Sequence, residues 1–265
     1  MKLQQKFFTA ILLLCSAFSF AQTDSLDFKD GLFLPGKKYT MEGITTLMIT
    51  KVYSNNAQTD STKKETVLQM VITSGKISQK DSLFPISMKY LRFDELPFLQ
   101  NAEIKGYCKP LKMPVFTEIS IPSIKLNQEQ SNDLINKMND PHEMLNLLNN
   151  MQILPSKKIK IGDTISVVHP TNFPAGRYSK VVTDYVLREI KDGKAYFNVT
   201  RTQTTENLPN NITGEGTGSG KAVYDIANHA FLSVNIDGEA IYTYTDGMIK
   251  MHVTVSQTTV VEDDP

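Results

Sequence analysis

Three Asp-Gly pairs punctuate the C-terminal half of the chain: Asp192-Gly193, Asp237-Gly238 and Asp246-Gly247. Each lies between runs rich in Val, Ile, Thr, Tyr and Phe. A two-residue turn of this composition accepts the positive φ that matches the twist of adjoining antiparallel strands. Strands joined by so short a loop must pair with each other. The spacing therefore predicts hairpins joining residues 178–190 to 195–201, 231–236 to 239–245, and that last strand to 248–260. The final run alternates, with Ile249, Met251, Val253 and Val255 on one side and Lys250, His252, Thr254 and Ser256 on the other. One face of the sheet is expected to be buried and the other wet.

The first half carries the same signature less regularly. Strand candidates are residues 38–52, 65–73, 83–93, 102–108 and 115–121, with a polar loop at 54–64 and a polar leader at 22–30. Pro85, Pro97, Pro110, Pro114 and Pro122 fall at edges and connections, where a missing N–H is tolerated. Residues 127–151 carry helical spacing instead and predict two helices. Asn127 caps the first. Asp140, Pro141 and Glu143 form the cap, first position and capping-box acid of the second. Leu134, Ile135 and Met138, then Met144, Leu147, Leu148 and Met151, form apolar stripes that need an apolar surface, either the protein's own sheet or a partner. The expected fold is α+β, mostly β: a curled antiparallel sheet of meander hairpins with a central pair of helices packed on its concave face. Leu34-Pro35-Gly36-Lys37-Lys38-Tyr39 is echoed by Leu154-Pro155-Ser156-Lys157-Lys158-Ile159, as two similar half-sheets would require.

The N-terminus reads as an export signal. Lys2 and Lys6 precede an apolar run from Phe7 to Leu14, and Ser19-Phe20-Ala21 places small residues at the −3 and −1 positions. The uncharged stretch 7–21 is 15 residues, short of the roughly 20 that span a bilayer as a helix. Cleavage after Ala21 takes 21 of 265 residues and leaves 244, expected to form one β-rich domain (residues 22–265). It also removes two lysines and no acid. The 28 basic residues become 26 against 28 acidic ones, a balance of −2. Such a chain has no basic surplus to hold nucleic acid. One cysteine, Cys108, remains, so stability must come from a core rather than an internal disulfide. The expected location is exported, periplasmic or extracellular, with no transmembrane segment in the mature chain.

Several of these motifs occur together: Gly36–Tyr39 opening the first strand, the central helical segment, Pro155 followed by Ile161-Gly162-Asp163-Thr164, and a glycine strand running into Tyr224-Asp225. The combination resembles a family of exported, uncharacterised proteins of the Bacteroidetes, over about residues 31–262. That family is similar to the lipoprotein-carrier superfamily, whose curled half-barrel sheet wraps a helix and can shelter acyl chains. The resemblance implies the same fold and carries no established activity.

Gly214, Gly216, Gly218 and Gly220 alternate with Glu215, Thr217 and Ser219. The spacing matches neither a dinucleotide nor a phosphate loop. In a strand all four glycines face one side and leave it bare, for close approach of another element or as a wall for a flat apolar ligand. His142-Glu143 begins a zinc-protease motif that fails at Asn146. His169, His229 and His252 share no metal-ligand spacing. No nucleophile elbow is present, and Cys108 reads as an inert strand thiol. No catalytic residue, metal or cofactor is assigned. The leading expectation is a non-enzymatic envelope binder or carrier of a lipid or other hydrophobic molecule, lined by Leu134, Met138, Met144, Leu148, Gly216 and Gly218. A structural or protein-interaction module with a self-filled core is the alternative. A hydrolase with a dispersed site near His169 and Asp163 ranks last.

Overall fold

A computed structural model of the chain describes residues 25–29, 33–53, 59–94, 97–110, 112, 114–121, 157–173, 177–206, 213–244 and 247–264. The described strands are β1 (Ser25–Phe28), β2 (Lys37–Tyr53), β3 (Thr59–Ser74), β4 (Phe84–Phe93), β5 (Glu103–Cys108), β6 (Val115–Ser120), β7 (Lys157–Lys160), β8 (Thr164–Phe173), β9 (Arg177–Lys191), β10 (Lys194–Glu206), β11 (Thr213–Asp225), β12 (Ala230–Tyr244) and β13 (Gly247–Asp263). A 3₁₀ turn at Pro97–Leu99 is the one helical element among the described residues.

The strands form one 11-stranded sheet, in the order β6-β5-β4-β3-β2-β13-β12-β11-β10-β9-β8, and a separate two-stranded sheet of β1 and β7. Every pairing is antiparallel. The large sheet is two meanders sewn together by its first and last strands. Their register runs from Lys37 opposite Asp263 to Tyr53 opposite Gly247, and a 2.7 Å ion pair between Lys37 Nζ and Asp263 Oδ1 marks one end of the seam.

Turn chemistry explains part of this order. Asp192 (φ 51°) and Gly193 (φ 72°) make the predicted hairpin between β9 and β10. β12 and β13 pair as expected, but Gly247 is the first residue of β13, paired with Tyr244, rather than part of the turn. Asp237-Gly238 does not turn. It lies inside the continuous strand β12, with Gly218 of β11 opposite Gly238. A Cβ at Gly238 would stand 2.7 Å from the Thr217 carbonyl oxygen, so this glycine admits a neighbouring backbone rather than reversing the chain. The loop expected at 54–64 is also shorter than predicted, since Thr59 onward belongs to β3. The two Lys-Lys echoes open strands of different sheets, Lys37 in β2 and Lys157 in β7, so they do not mark equivalent half-sheets.

The α+β expectation is corrected: the described residues are nearly all β. The segment assigned to a helix pair, 127–151, lies outside the described residues. Among the described residues, what covers the sheet at β8–β12 is the β1–β7 ribbon. Leu26, Phe28 and Ile159 from that ribbon are buried with Ile165, Leu187, Phe197, Val199, Tyr224 and Phe231 of the sheet. The stretch expected to be a polar leader thus supplies a core strand. Ser-Leu-Asp-Phe has only two apolar residues, too few to show a period, and only pairing with Lys-Lys-Ile-Lys makes it a strand. Phe28 is fully buried, with ring centroids 5.0 Å from Tyr224, 5.9 Å from Phe231 and 6.0 Å from Phe197. The Tyr224 hydroxyl pins the ribbon by donating to the Lys29 carbonyl at 2.8 Å.

A second cluster sits on β2–β6: Tyr39, Ile72, Ile86, Tyr90, Ile104 and Phe116, closed by Leu99 and Ala102 at the 3₁₀ turn. The register places both clusters on the same face, called here the inner face. Tyr39 pairs with Val261 and Ile72, Val199 is paired with Gly220, and Ala222 continues the glycine row of β11. Ser74, fully buried at the end of β3, is satisfied by donation toward the Leu34 carbonyl (2.5 Å) and by accepting from the Lys37 N–H (2.9 Å).

Candidate functional site

The glycine row lies in β11 as predicted, and all four glycines share the inner face. Gly214 is paired with Tyr242, Gly216 with Ala240, Gly218 with Gly238 and Gly220 with Ile236. Beyond them the same face carries Ala222 and Tyr224, both buried in the first cluster. The approach that requires glycine comes from β12. A Cβ at Gly216 would lie 2.9 Å from the Ala240 Cβ, and one at Gly220 would run into the Asn235 carbonyl. The sheet is bent sharply enough here that β10 and β12 touch across β11. The Gln203 amide donates to the Tyr242 hydroxyl at 2.7 Å, although a whole strand separates them. Side chains on β11 at these positions would block that crossing.

A groove lies along the bend. Its floor is Gly216, Gly218 and Gly238, its sides are Ile236, Ala240, Val253 and Val255, and Arg201 and Gln203 stand at its β10 margin. It is shallow. Its cavity volume is about 70 Å³, and it is open to solvent. Thr217 and Glu239 border it through their backbones, since strand alternation puts their side chains on the outer face. There Glu239 Oε1 lies 3.9 Å from His252 Nδ1, and Asp237 Oδ2 lies 3.2 Å from His252 Nε2. Arg201 is half-buried on an otherwise apolar row that begins Ala195, Phe197, Val199. Among the described residues its guanidinium has no hydrogen-bond or ion-pair partner.

Of the residues predicted to line a ligand, Gly216 and Gly218 form the groove floor, while Leu134, Met138, Met144 and Leu148 lie outside the described residues. Arg201, Gln203 and Gly238 were not anticipated. The signal for Arg201 is present in the sequence: it is the fourth member of an alternating apolar row, and ending the strand at that residue hides it. Gly238 has the local composition of a turn.

The remaining candidates serve structural roles. Asp163 accepts from the Lys160 N–H at 2.9 Å and so closes the β7–β8 turn. His169 follows six residues later along extended chain, about 20 Å at strand rise, so the two do not share a site. His229 occupies the β11–β12 turn at φ 52°, with Nδ1 3.2 Å from the Tyr224 hydroxyl. Burial, then the nearby Lys29 charge, hold its pKa below the ordinary histidine value. Cys108 Sγ lies 3.2 and 3.0 Å from the carbonyl oxygens of Lys109 and Lys112, and burial pushes its pKa up to about 11. Such a thiol is a poor nucleophile at neutral pH. Asp94 is gripped by Arg92 through contacts of 2.7 and 2.8 Å and accepts from the Val67 N–H at 2.9 Å. Those contacts, the Arg92 fork first, hold its carboxyl below the usual range. Among the described residues no three His, Cys, Asp or Glu side chains are grouped to hold a metal, and no helix is long and apolar enough to cross a membrane.

No family profile and no curated protein matches the chain. Among solved structures it is similar to Ail, the attachment invasion locus protein of Yersinia pestis, at 6% identity over 86% of this chain and 100% of that one, with a TM-score of 0.23. A score that low transfers neither fold nor function.

Proposed function

We propose that the protein is an exported, non-enzymatic binder of a hydrophobic molecule, and that the molecule lies on the inner face over Gly216, Gly218 and Gly238. The observation that carries this reading is the incomplete burial of that face. Leu47, Ile49, Met251 and Val253 form a continuous apolar row across β2 and β13 beside the groove, yet all four are only half-buried among the described residues. Apolar area left in water is a standing source of binding free energy, about 25 cal/mol per Å² covered. The glycine floor lets a ligand approach the backbone closely, and the thioether of Met251 adapts to irregular shapes. The signal-like N-terminus and the resemblance to exported proteins with a curled sheet support the location.

The test uses the neutral apolar dye N-phenyl-1-naphthylamine with the purified protein. Saturable fluorescence enhancement is expected, and Val253→Asp, which sets a charge beside the floor, should weaken it about tenfold or more. Absence of saturable binding, or equal binding by the variant, would overturn the reading and favour a protein-interaction module.

A further inference from the structure

We propose that the ligand is a single-chain amphiphile with a carboxylate head, and that Arg201 binds that head. This rests on the apolar-ligand reading above and specifies its chemistry.

Arg201 is out of place by the rules that shape the rest of its strand. Ala195, Phe197 and Val199 precede it on the inner face and are all buried. Arg201 as a residue is half-buried beside that row, and a cation set next to apolar surface is best compensated by an anion or strong acceptors. The molecule shows what a partnered arginine looks like: Arg92 holds both oxygens of Asp94. Arg201 has no such partner among the described residues.

Its position is suited to a ligand. Arg201 is paired with Gly218, Gly218 with Gly238, and Gly238 with Val253. Two successive strands therefore offer no side chain beyond Arg201 on this face, and the next residue is apolar. A head group held by the guanidinium would have its chain directed over glycines toward Val253 and Met251. Tyr242, whose hydroxyl accepts from Gln203 at 2.7 Å, keeps its own hydrogen to donate at the same margin.

Charge and size select the head. One guanidinium matches one carboxylate in a bidentate pair. A phosphate monoester, carrying about −1.5 to −2, would leave excess negative charge against a single guanidinium, and Arg201 is the one cationic side chain lining the groove among the described residues. The groove is small, about 70 Å³, and open, so most of a chain would lie along the neighbouring apolar row rather than inside it.

The experiment compares cis-parinaric acid with its methyl ester by fluorescence titration at pH 8. These probes share a chain and differ in head charge. The wild-type protein is expected to bind the acid about tenfold or more tighter than the ester. Arg201→Gln should bring the acid to the ester's affinity and leave the ester within about twofold, and Arg201→Lys should retain part of the preference. Equal binding of acid and ester by the wild-type protein overturns the assignment of Arg201 while the apolar groove stands. A preference that survives Arg201→Gln also overturns it. Decyl phosphate binding tighter than decanoate overturns the choice of carboxylate. Failure of both parinaric probes overturns this inference together with the function it rests on.

Discussion

The same long strands behave differently at their two ends. Where β2 begins and β13 ends, and along the first half of β12, the inner face is sealed: Tyr39 is 3% exposed and Val234 9%. Beyond Gly43 on β2 and before Ser256 on β13, both clusters have run out. There the inner-face residues Leu47, Ile49, Met251 and Val253 are only half-buried. The sealed end is covered by short elements, the β1–β7 ribbon and the 3₁₀ turn, which reach only part of strands up to 17 residues long. Stability is therefore expected to be concentrated at one end of the sheet, and binding at the other.

The sharpest way to break that comparison is to truncate one apolar side chain at each end. Phe28→Ala removes a fully buried ring from the centre of an aromatic cluster and should cost about 3–5 kcal/mol in urea unfolding. Met251→Ala, on the half-buried face, should cost less than about 1 kcal/mol. Similar costs for the two would mean that the far end is as sealed as the near one.

A smaller effect separates the glycines that the bend needs from those it does not. Gly220→Ala drives a methyl into the Asn235 carbonyl and should cost about 1–3 kcal/mol. Gly43→Ala meets only the Leu68 Cβ at 3.9 Å. It should be neutral, or stabilise by about 0.4–1 kcal/mol through the unfolded chain. Melting temperatures of the pair check whether the β11–β12 bend, rather than glycine content, holds the groove open.

The smallest expected effect concerns pH and the pin between ribbon and sheet. His229 titrates below its ordinary value when folded, so the unfolded chain takes up the proton first as pH falls through about 6.5. Stability present at neutral pH should then decline until the folded histidine is protonated too. His229→Asn tolerates the positive φ and should flatten the fall in melting temperature between about pH 7.5 and 5.5 relative to the wild-type protein. An unchanged slope would remove His229 from the pin at Tyr224 and Lys29.

How much of this was legible beforehand follows from the range of the signals. Antiparallel pairing of β9 with β10 and of β12 with β13, the Asp192-Gly193 turn and the shared face of the four glycines come from local chemistry, namely a turn that accepts positive φ and a period of two. The misreadings come from residues whose meaning is set by a distant neighbour. Asp237-Gly238 has the composition of a turn, but its glycine answers to Gly218 on the adjacent strand. Leu26 and Phe28 look like part of a leader until β7, more than a hundred residues later, supplies their pairing partner. The α+β expectation drew on periodicity in residues 127–151, which are not among the described ones, while the roof over β8–β12 is built from two four-residue strands.

By itself, the order of amino acids determined that this chain forms antiparallel hairpins with one apolar face, because side-chain alternation and two-residue turns act over neighbouring residues. The tertiary structure alone decided that the first and last long strands meet, that the sheet bends over its glycines, and that Arg201 stands beside an apolar groove. Those outcomes depend on which strands lie next to one another, and adjacency across 200 residues is a property of the packed sheet rather than of any local run.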